Sequence, residues 1–298
     1  MTRNEAIISL FAAWLATSLA GCRKAGSEPQ RDYAIAPGVI ELGRIRDARI
    51  TESSGVVASR RYPKVFWTHN DGGGPKKQIL YAIGREGTTI AAFPVVGAEF
   101  YDWEDIAIDD SGHLYVGDIG NNDAKRTTLA VYEIDEPNPA ERSVAVPVKR
   151  KWKLRFPEAP FDCESLFIWK DHGYLVSKVF GDAPAQIFRF PLEDTDEPLT
   201  LGLVATTTIR SPVTAADISA DGNLLGLVAK DGAFVYRIDG DVALVSAGTP
   251  YHTRLKNEHI EGCCFVPEGL LATSESREIL LFTGPPFRGG EALQSRHR

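Results

Sequence analysis

The 298-residue sequence predicts an all-β fold, and within that class a β-propeller. Three observations carry the prediction. A short phrase recurs as Glu104-Asp105-Ile106-Ala107-Ile108, Glu164-Ser165-Leu166-Phe167-Ile168 and Glu261-Gly262-Cys263-Cys264-Phe265. Two diverged copies read Ser53-Ser54-Gly55-Val56-Val57 and Ala216-Asp217-Ile218-Ser219-Ala220. The copies begin at residues 53, 104, 164, 216 and 261, in steps of 51, 60, 52 and 45, which is the spacing of strand-built repeats. Each phrase opens a short apolar run and is followed, after a turn, by a second apolar run, with no amphipathic helix of ordinary length between.

Taken in order, the chain starts with a processing signal over residues 1–21. Arg3 gives a thin basic start, and Ala6–Ala20 is apolar but too short for a comfortable membrane span. It closes on Leu19-Ala20-Gly21-Cys22, which resembles the lipobox of bacterial lipoproteins. That resemblance implies cleavage before Cys22, lipidation of its thiol, and anchoring by acyl chains alone. Arg23 in place of an aspartate then points to the outer membrane, facing the periplasm, rather than the inner membrane. An ordinary secretory signal followed by a chance cysteine is the other reading of this stretch.

Residues 22–38 read as the lipidated cysteine and a polar tether without periodicity, and 39–287 as the propeller. The stretch Val39–Ile45 alternates like a strand but precedes the first repeat. The last repeat supplies only three strands, Gly262–Val266, Leu270–Thr273 and Glu278–Phe282, so residues 39–45 are expected to complete its sheet and close the ring. The other units take outer strands at Gln78–Ile83 and Thr88–Val95, Leu129–Ile134 and Val146–Leu154, Gln186–Phe190 and Gly202–Ile209, and Ala233–Ile238 and Ala243–Ser246. Turns such as Asp110-Ser111-Gly112, Asp221-Gly222 and Asp231-Gly232 punctuate them. The count is five blades, or six if one long spacing hides two weak units. Residues 288–298 read as a disordered tail.

A hydrophobic content of 43% supports a sizeable core, and a net charge of −7 argues against a nucleic-acid polymer as partner. Without Cys22 three cysteines remain, Cys163, Cys263 and Cys264. They read as small buried hydrophobes, with a vicinal 263–264 bridge as the alternative. Neither zinc spacing nor a Gly-x-Ser-x-Gly elbow is present.

In a propeller the first strand of each blade lines the central channel, and residues two apart share a face. Asp102 and Glu104, Asp162 and Glu164, and His259 and Glu261 therefore stand together at the channel mouth, with Thr51 and Ser53, and Thr214 and Ala216, in the weaker copies. The second strands return to the same level and place Asp71, Asp118, Lys178, Lys230 and Glu275 on the rim. Acids so close repel unless protonated or bridged by a cation, and an all-oxygen set suits calcium. A water-filled acidic mouth is the bland alternative.

These phrases, with Leu114-Tyr115-Val116-Gly117-Asp118-Ile119-Gly120, resemble the calcium-activated nucleotidase (apyrase) family at low identity over most of residues 50–282. The resemblance implies a five-bladed propeller with calcium in its channel, faced by Ser53, Glu104, Glu164 and Glu261. Ala216 departs from the family's serine, and the adjacent Asp217 stands in for it as a ligand. The family's basic groups are matched only by Lys178 and one of Lys76 or Lys77, and Gly120-Asn121-Asn122 replaces a basic position. The chain resembles phytase-like exported propellers more loosely. Two functions are expected from this. One is calcium-dependent hydrolysis of a phosphoanhydride or phosphoester, with Asp71, Asp118 or Glu275 orienting water and Lys178 neutralising phosphate. The other is a non-catalytic surface lipoprotein in which calcium clamps the propeller and the loops bind a polymer or protein as surface partner. The mixed-charge rim, with Lys178 and Lys230 among carboxylates, favours a small anionic ligand, and the chain is expected to be a monomer.

Overall fold

The computed structural model describes residues 33–72, 78–141, 144–257 and 259–287. The signal segment, Cys22, Lys76, Lys77 and the tail from 288 lie outside the described residues. Strands β1 (Tyr33–Ala36) and β2 (Val39–Arg44) form a hairpin. The first meander is β3 (Ser53–Ala58), β4 (Val65–Asn70), β5 (Ile79–Gly84) and β6 (Thr89–Val96). The second is β7 (Trp103–Ile108), β8 (His113–Asp118), β9 (Thr128–Asp135) and β10 (Val146–Arg155). In the third, β11 (Cys163–Trp169), β12 (His172–Ser177) and β13 (Gln186–Pro191) are followed by β14 (Leu199–Thr200), which pairs with β10, and by β15 (Gly202–Thr206), which completes the sheet. The fourth runs β16 (Val213–Ile218), β17 (Leu224–Ala229), β18 (Gly232–Arg237) and β19 (Tyr251–Arg254). Last come β20 (Ile260–Val266), β21 (Gly269–Ser274) and β22 (Glu278–Phe282), with β2 hydrogen-bonded beside β22. Among the described residues there is no α-helix.

The inner strands β3, β7, β11, β16 and β20 neighbour one another in that order, and β20 neighbours β3 again. The ring is narrow. A Cβ at Gly262 would lie 2.9 Å from the Gly55 carbonyl carbon and the Ser54 oxygen, so only glycine allows β20 to approach β3 so closely. Apolar layers fill each interface between successive meanders. Trp67, Phe93 and Trp103 lie between the first and second, Trp152 and Phe190 between the second and third, and Phe167 and Tyr236 between the third and fourth. Val228 and Cys263 fill the next, and Leu42, Phe66 and Ile279 close the circle. Burying each such side chain contributes ~1.5–3 kcal/mol. Inner strands such as β7 are buried at every position, whereas outer β6 alternates, because only the outermost strand keeps a wet face. Sheets packed face to face around a ring of inner strands make a β-propeller.

Two expectations about elements are corrected. Residues 33–36, assigned to the tether, form β1 against β2. Residues 243–246, expected as a strand, belong to a 3₁₀ turn over Val242–Ser246, and β19 takes the strand's place. Asp241 caps this turn by accepting from the Ala243 amide, and Val242 and Val245 bury at a spacing of three, which the 3₁₀ period satisfies. The three cysteines are free and buried.

Candidate functional site

One backbone bond repeats in all five meanders and aligns them. The amide just past each second strand donates to a carbonyl at the entry of the first strand. The pairs are Asp71 to Glu52 (3.0 Å), Ile119 to Asp102 (3.1 Å), Lys178 to Asp162 (2.9 Å), Lys230 to Pro212 (3.2 Å) and Glu275 to His259 (2.9 Å). Two residues beyond each acceptor stand Ser54, Glu104, Glu164, Thr214 and Glu261. At each of these the ladder of the inner strand skips, so each sits in a β-bulge. A bulged residue is left unpaired and its side chain is re-aimed. Here Ser54, Glu104, Glu164 and Glu261 face a cavity of about 310 Å³ at the channel mouth. The rim residues Asp71, Lys178, Lys230 and Glu275 face the same cavity, with His259 and Asn122.

This alignment corrects three residues expected at the mouth. Ser53 is one position short of the bulge; it is buried and shares a hydrogen bond with the Thr68 hydroxyl (2.8 Å). Asp217 lies three positions past the fourth bulge, which is Thr214; its carboxylate accepts from the Phe265 amide (2.8 Å) of the neighbouring inner strand. Asp118 falls one residue before the rim position, which Ile119 occupies fully buried. The Asp118 carboxylate accepts from the amides of Tyr101 and Asp102 and pairs with Arg126 (3.0 Å). Where serine or threonine replaces glutamate at the bulge, the hydroxyl bonds the next inner strand. Ser54 donates to the Glu104 carbonyl (2.5 Å) and Thr214 to the Ile260 carbonyl (2.7 Å).

Sequence reasoning missed Ser54 and Thr214 as the true bulge positions. The signal for Thr214 was present: it lies eight positions before its turn glycine, Gly222, as Glu104 lies eight before Gly112, and both glycines adopt φ > 0.

Five carboxyl groups face two lysines in the cavity. Glu164 is ion-paired with Lys178, yet its other oxygen, Oε2, has no hydrogen-bond partner although the residue is 5% exposed. Burial and the neighbouring acids push all three glutamates upward. Glu164 rises to about 7 despite Lys178, and Glu261 to about 9, with the Glu164 charge adding to burial. Glu104 is raised well above the carboxylate range by burial and then by Glu164 and Asp71. Burial works against the Lys178 ammonium, but Glu164 outweighs it and keeps the lysine charged. In the same cavity His259 Nδ1 meets the Glu275 carboxylate at 3.0 Å.

Ligand oxygens of Asp71, Asp102 and Glu104 come within 4.8 Å of one another. Gly120 presses on the Asp102 and Glu104 carboxylates so closely that a Cβ there would collide with both. Below the mouth the buried Asp105 carboxyl accepts from the Ile106 and Leu166 amides (2.9 Å each), joining the second and third inner strands. Burial raises it well above its usual range.

No protein-family description and no curated protein matches the sequence. Among solved structures the chain is similar to a catalytically inactive virginiamycin B lyase from Staphylococcus aureus with quinupristin. The identity is 14% and the TM-score 0.43, over 78% of this chain and 66% of the lyase. It is also similar to a chain of the mitotic checkpoint complex, at 14% identity and TM-score 0.41, over 91% of this chain and 69% of that one. Both neighbours are β-propellers, and this chain spans just under two thirds of the lyase's length. The fold described above rests on strand pairing and the ring of inner strands, and likenesses of this order carry nothing about ligand or reaction.

Proposed function

We propose that the chain is an exported, lipid-anchored, five-bladed propeller whose ring is closed by β2 and whose mouth holds a calcium ion that receives a small phosphate-type anion. The observation that carries this is the convergence of Asp71, Asp102 and Glu104 oxygens within 4.8 Å, where Asp71 and Glu104 face the same cavity as the buried Glu164, whose Oε2 is unpartnered. The donors are all oxygen, which fits a hard divalent cation. Glu104, Glu164 and Glu261 with Asp71 and Asp102 would hold the ion, and Ser54 lies beside them. Bound calcium supplies the positive charge that lets an anionic oxygen enter a mouth of five carboxyls, and polarises that oxygen. Lys178 and Lys230 provide the remaining countercharge for the anion. The five inner strands in a closed circle support the blade count, and the β2–β22 ladder supports the closure. The Cys22 anchor rests on the sequence resemblance alone.

Hydrolysis is a second reading, favoured by Asp71 and Glu275, two rim carboxylates that face the same cavity as Lys178 and Lys230 and can accept a proton from a water at the anion. The test is calcium titration by calorimetry with phosphate release from nucleotides and phosphoesters measured in parallel, with calcium and with chelator. Calcium binding that disappears in Glu104→Gln and Glu164→Gln supports the site, and release that disappears with it supports hydrolysis. Unchanged calcium binding in both variants removes the proposal.

A further inference from the structure

A larger recess lies outside the mouth, on the face of the second meander. The β9–β10 register sets Ala130 opposite Lys153 and Tyr132 opposite Lys151, so these four side chains share one face. The segment Glu99–Tyr101 crosses in front of them, and Lys125–Thr128 closes one end, enclosing about 520 Å³. Four cations, Lys125, Arg126, Lys151 and Lys153, meet two carboxylates, Glu99 and Asp118, in a chain whose net charge is −7.

Three of those cations are already engaged. Arg126 donates to the Gly120 and Asp118 carbonyls and pairs with the Asp118 carboxylate. Lys151 bonds Glu99 at 2.6 Å, and Lys125 bonds Asp123 at 2.6 Å. Lys153 is exposed and, among the described residues, is close enough to Glu99 to help hold that carboxyl down, after Lys151, but makes no hydrogen bond to it. Tyr101 is 64% exposed, and the fixed Arg126 guanidinium lies 4.5 Å from its ring centroid. A guanidinium so held pins the ring's orientation and leaves the remainder open for stacking. Thr127 and Thr128, both exposed, line the same recess.

We propose that this groove binds a phosphate, sulfate or carboxylate group carried on a flat aromatic ring. The ring stacks on Tyr101, and the anion is met by Lys153 with the threonine hydroxyls. The proposal is independent of the cation assigned to the mouth. It is tested by calorimetric titration of the full chain with phenyl phosphate in chelator, which silences anion binding that depends on a metal. Saturable binding is expected, weakened about fivefold or more by Lys153→Gln and by Tyr101→Ala, both exposed positions, and unchanged by Lys230→Gln at the mouth. Inorganic phosphate, lacking the ring, should bind about fivefold more weakly than phenyl phosphate. Absence of saturable binding overturns the proposal. So does affinity equal to the parent chain's in both Lys153→Gln and Tyr101→Ala, with thermal melts confirming that both are folded, and so does a loss confined to Lys230→Gln.

Discussion

Raising the pH from 6.5 to 8.5 without divalent cations should destabilise the protein, in a window where most carboxylate-rich proteins barely respond. Glu261 carries a full share of the effect, and Glu104 and Glu164, also raised by burial, act in the same direction. The folded pKa of Glu261 is about 9 against an ordinary 4.5, because burial and the Glu164 charge disfavour its ionised form. Between pH 6.5 and 8.5 the folded state therefore keeps this proton while the unfolded chain has lost it. Stability is complete below the unfolded pKa and falls as pH climbs towards the folded one, by ~1.4 kcal/mol per pH unit. Over two units Glu261 alone contributes ~3 kcal/mol, or a melting temperature lower by about 6–12 °C for a domain of this size. The residue is 8% exposed, so solvent screening takes little from this.

Opposing groups add little in this window. Buried His69, lowered to about 4 by desolvation, adds stability as pH rises, but only ~0.4 kcal/mol of it is gained above its ordinary 6.5. Asp47, held down at about 2 by Arg49, has finished well before that. Differential scanning calorimetry in chelator measures the slope, and Glu261→Gln should reduce it by about 1.4 kcal/mol per unit. Calcium requires the ionised carboxylates, so adding it should raise the melting temperature most at pH 8.5. A flat or rising stability in chelator, or a Glu261→Gln slope equal to the parent's, would refute the reasoning.

Other perturbations test separate parts of the structure. Lys178→Met leaves Glu164 buried without its cation and should cost about 3 kcal/mol at pH 8.5 and clearly less at pH 5.5, where the carboxyl holds a proton; thermal melts at both pH values decide. Gly120→Ala drives a methyl against the Asp102 and Glu104 carboxylates, so calcium affinity should fall about tenfold by calorimetry while the far-ultraviolet circular dichroism stays unchanged. Asp105→Ala strips acceptors from the buried Ile106 and Leu166 amides and should destabilise by about 3 kcal/mol in urea unfolding. Asp241→Ala removes the cap of the 3₁₀ turn and should cost about 1 kcal/mol in the same assay.

The recurrence of an acid ahead of an apolar run already pointed to an all-β repeat fold and to Glu104, Glu164 and Glu261 as one family of positions. All three face the same cavity. Period-two reasoning placed these glutamates on one face, but the two diverged copies were set against them in the wrong register. Nothing in their residue types marks the bulge, so Ser53 was read one position short of Ser54, and Asp217, beside Ala216, was read for Thr214. One residue was likewise enough to exchange Asp118 for Ile119 at the rim, because that position is defined by a bond to the Asp102 carbonyl and not by residue type.

Local pattern along the chain determined the repeat, its strands and the acidity of the mouth, since each depends on the order of polar and apolar residues within a few positions. Tertiary structure alone decided which oxygens converge, which glutamates are driven to hold their protons, and that Tyr101, Arg126 and Lys153 border one groove. Those properties arise from burial and from distances between segments 25 or more residues apart along the chain, from 101 to 126 and from 126 to 153, which only the packing of the strands sets.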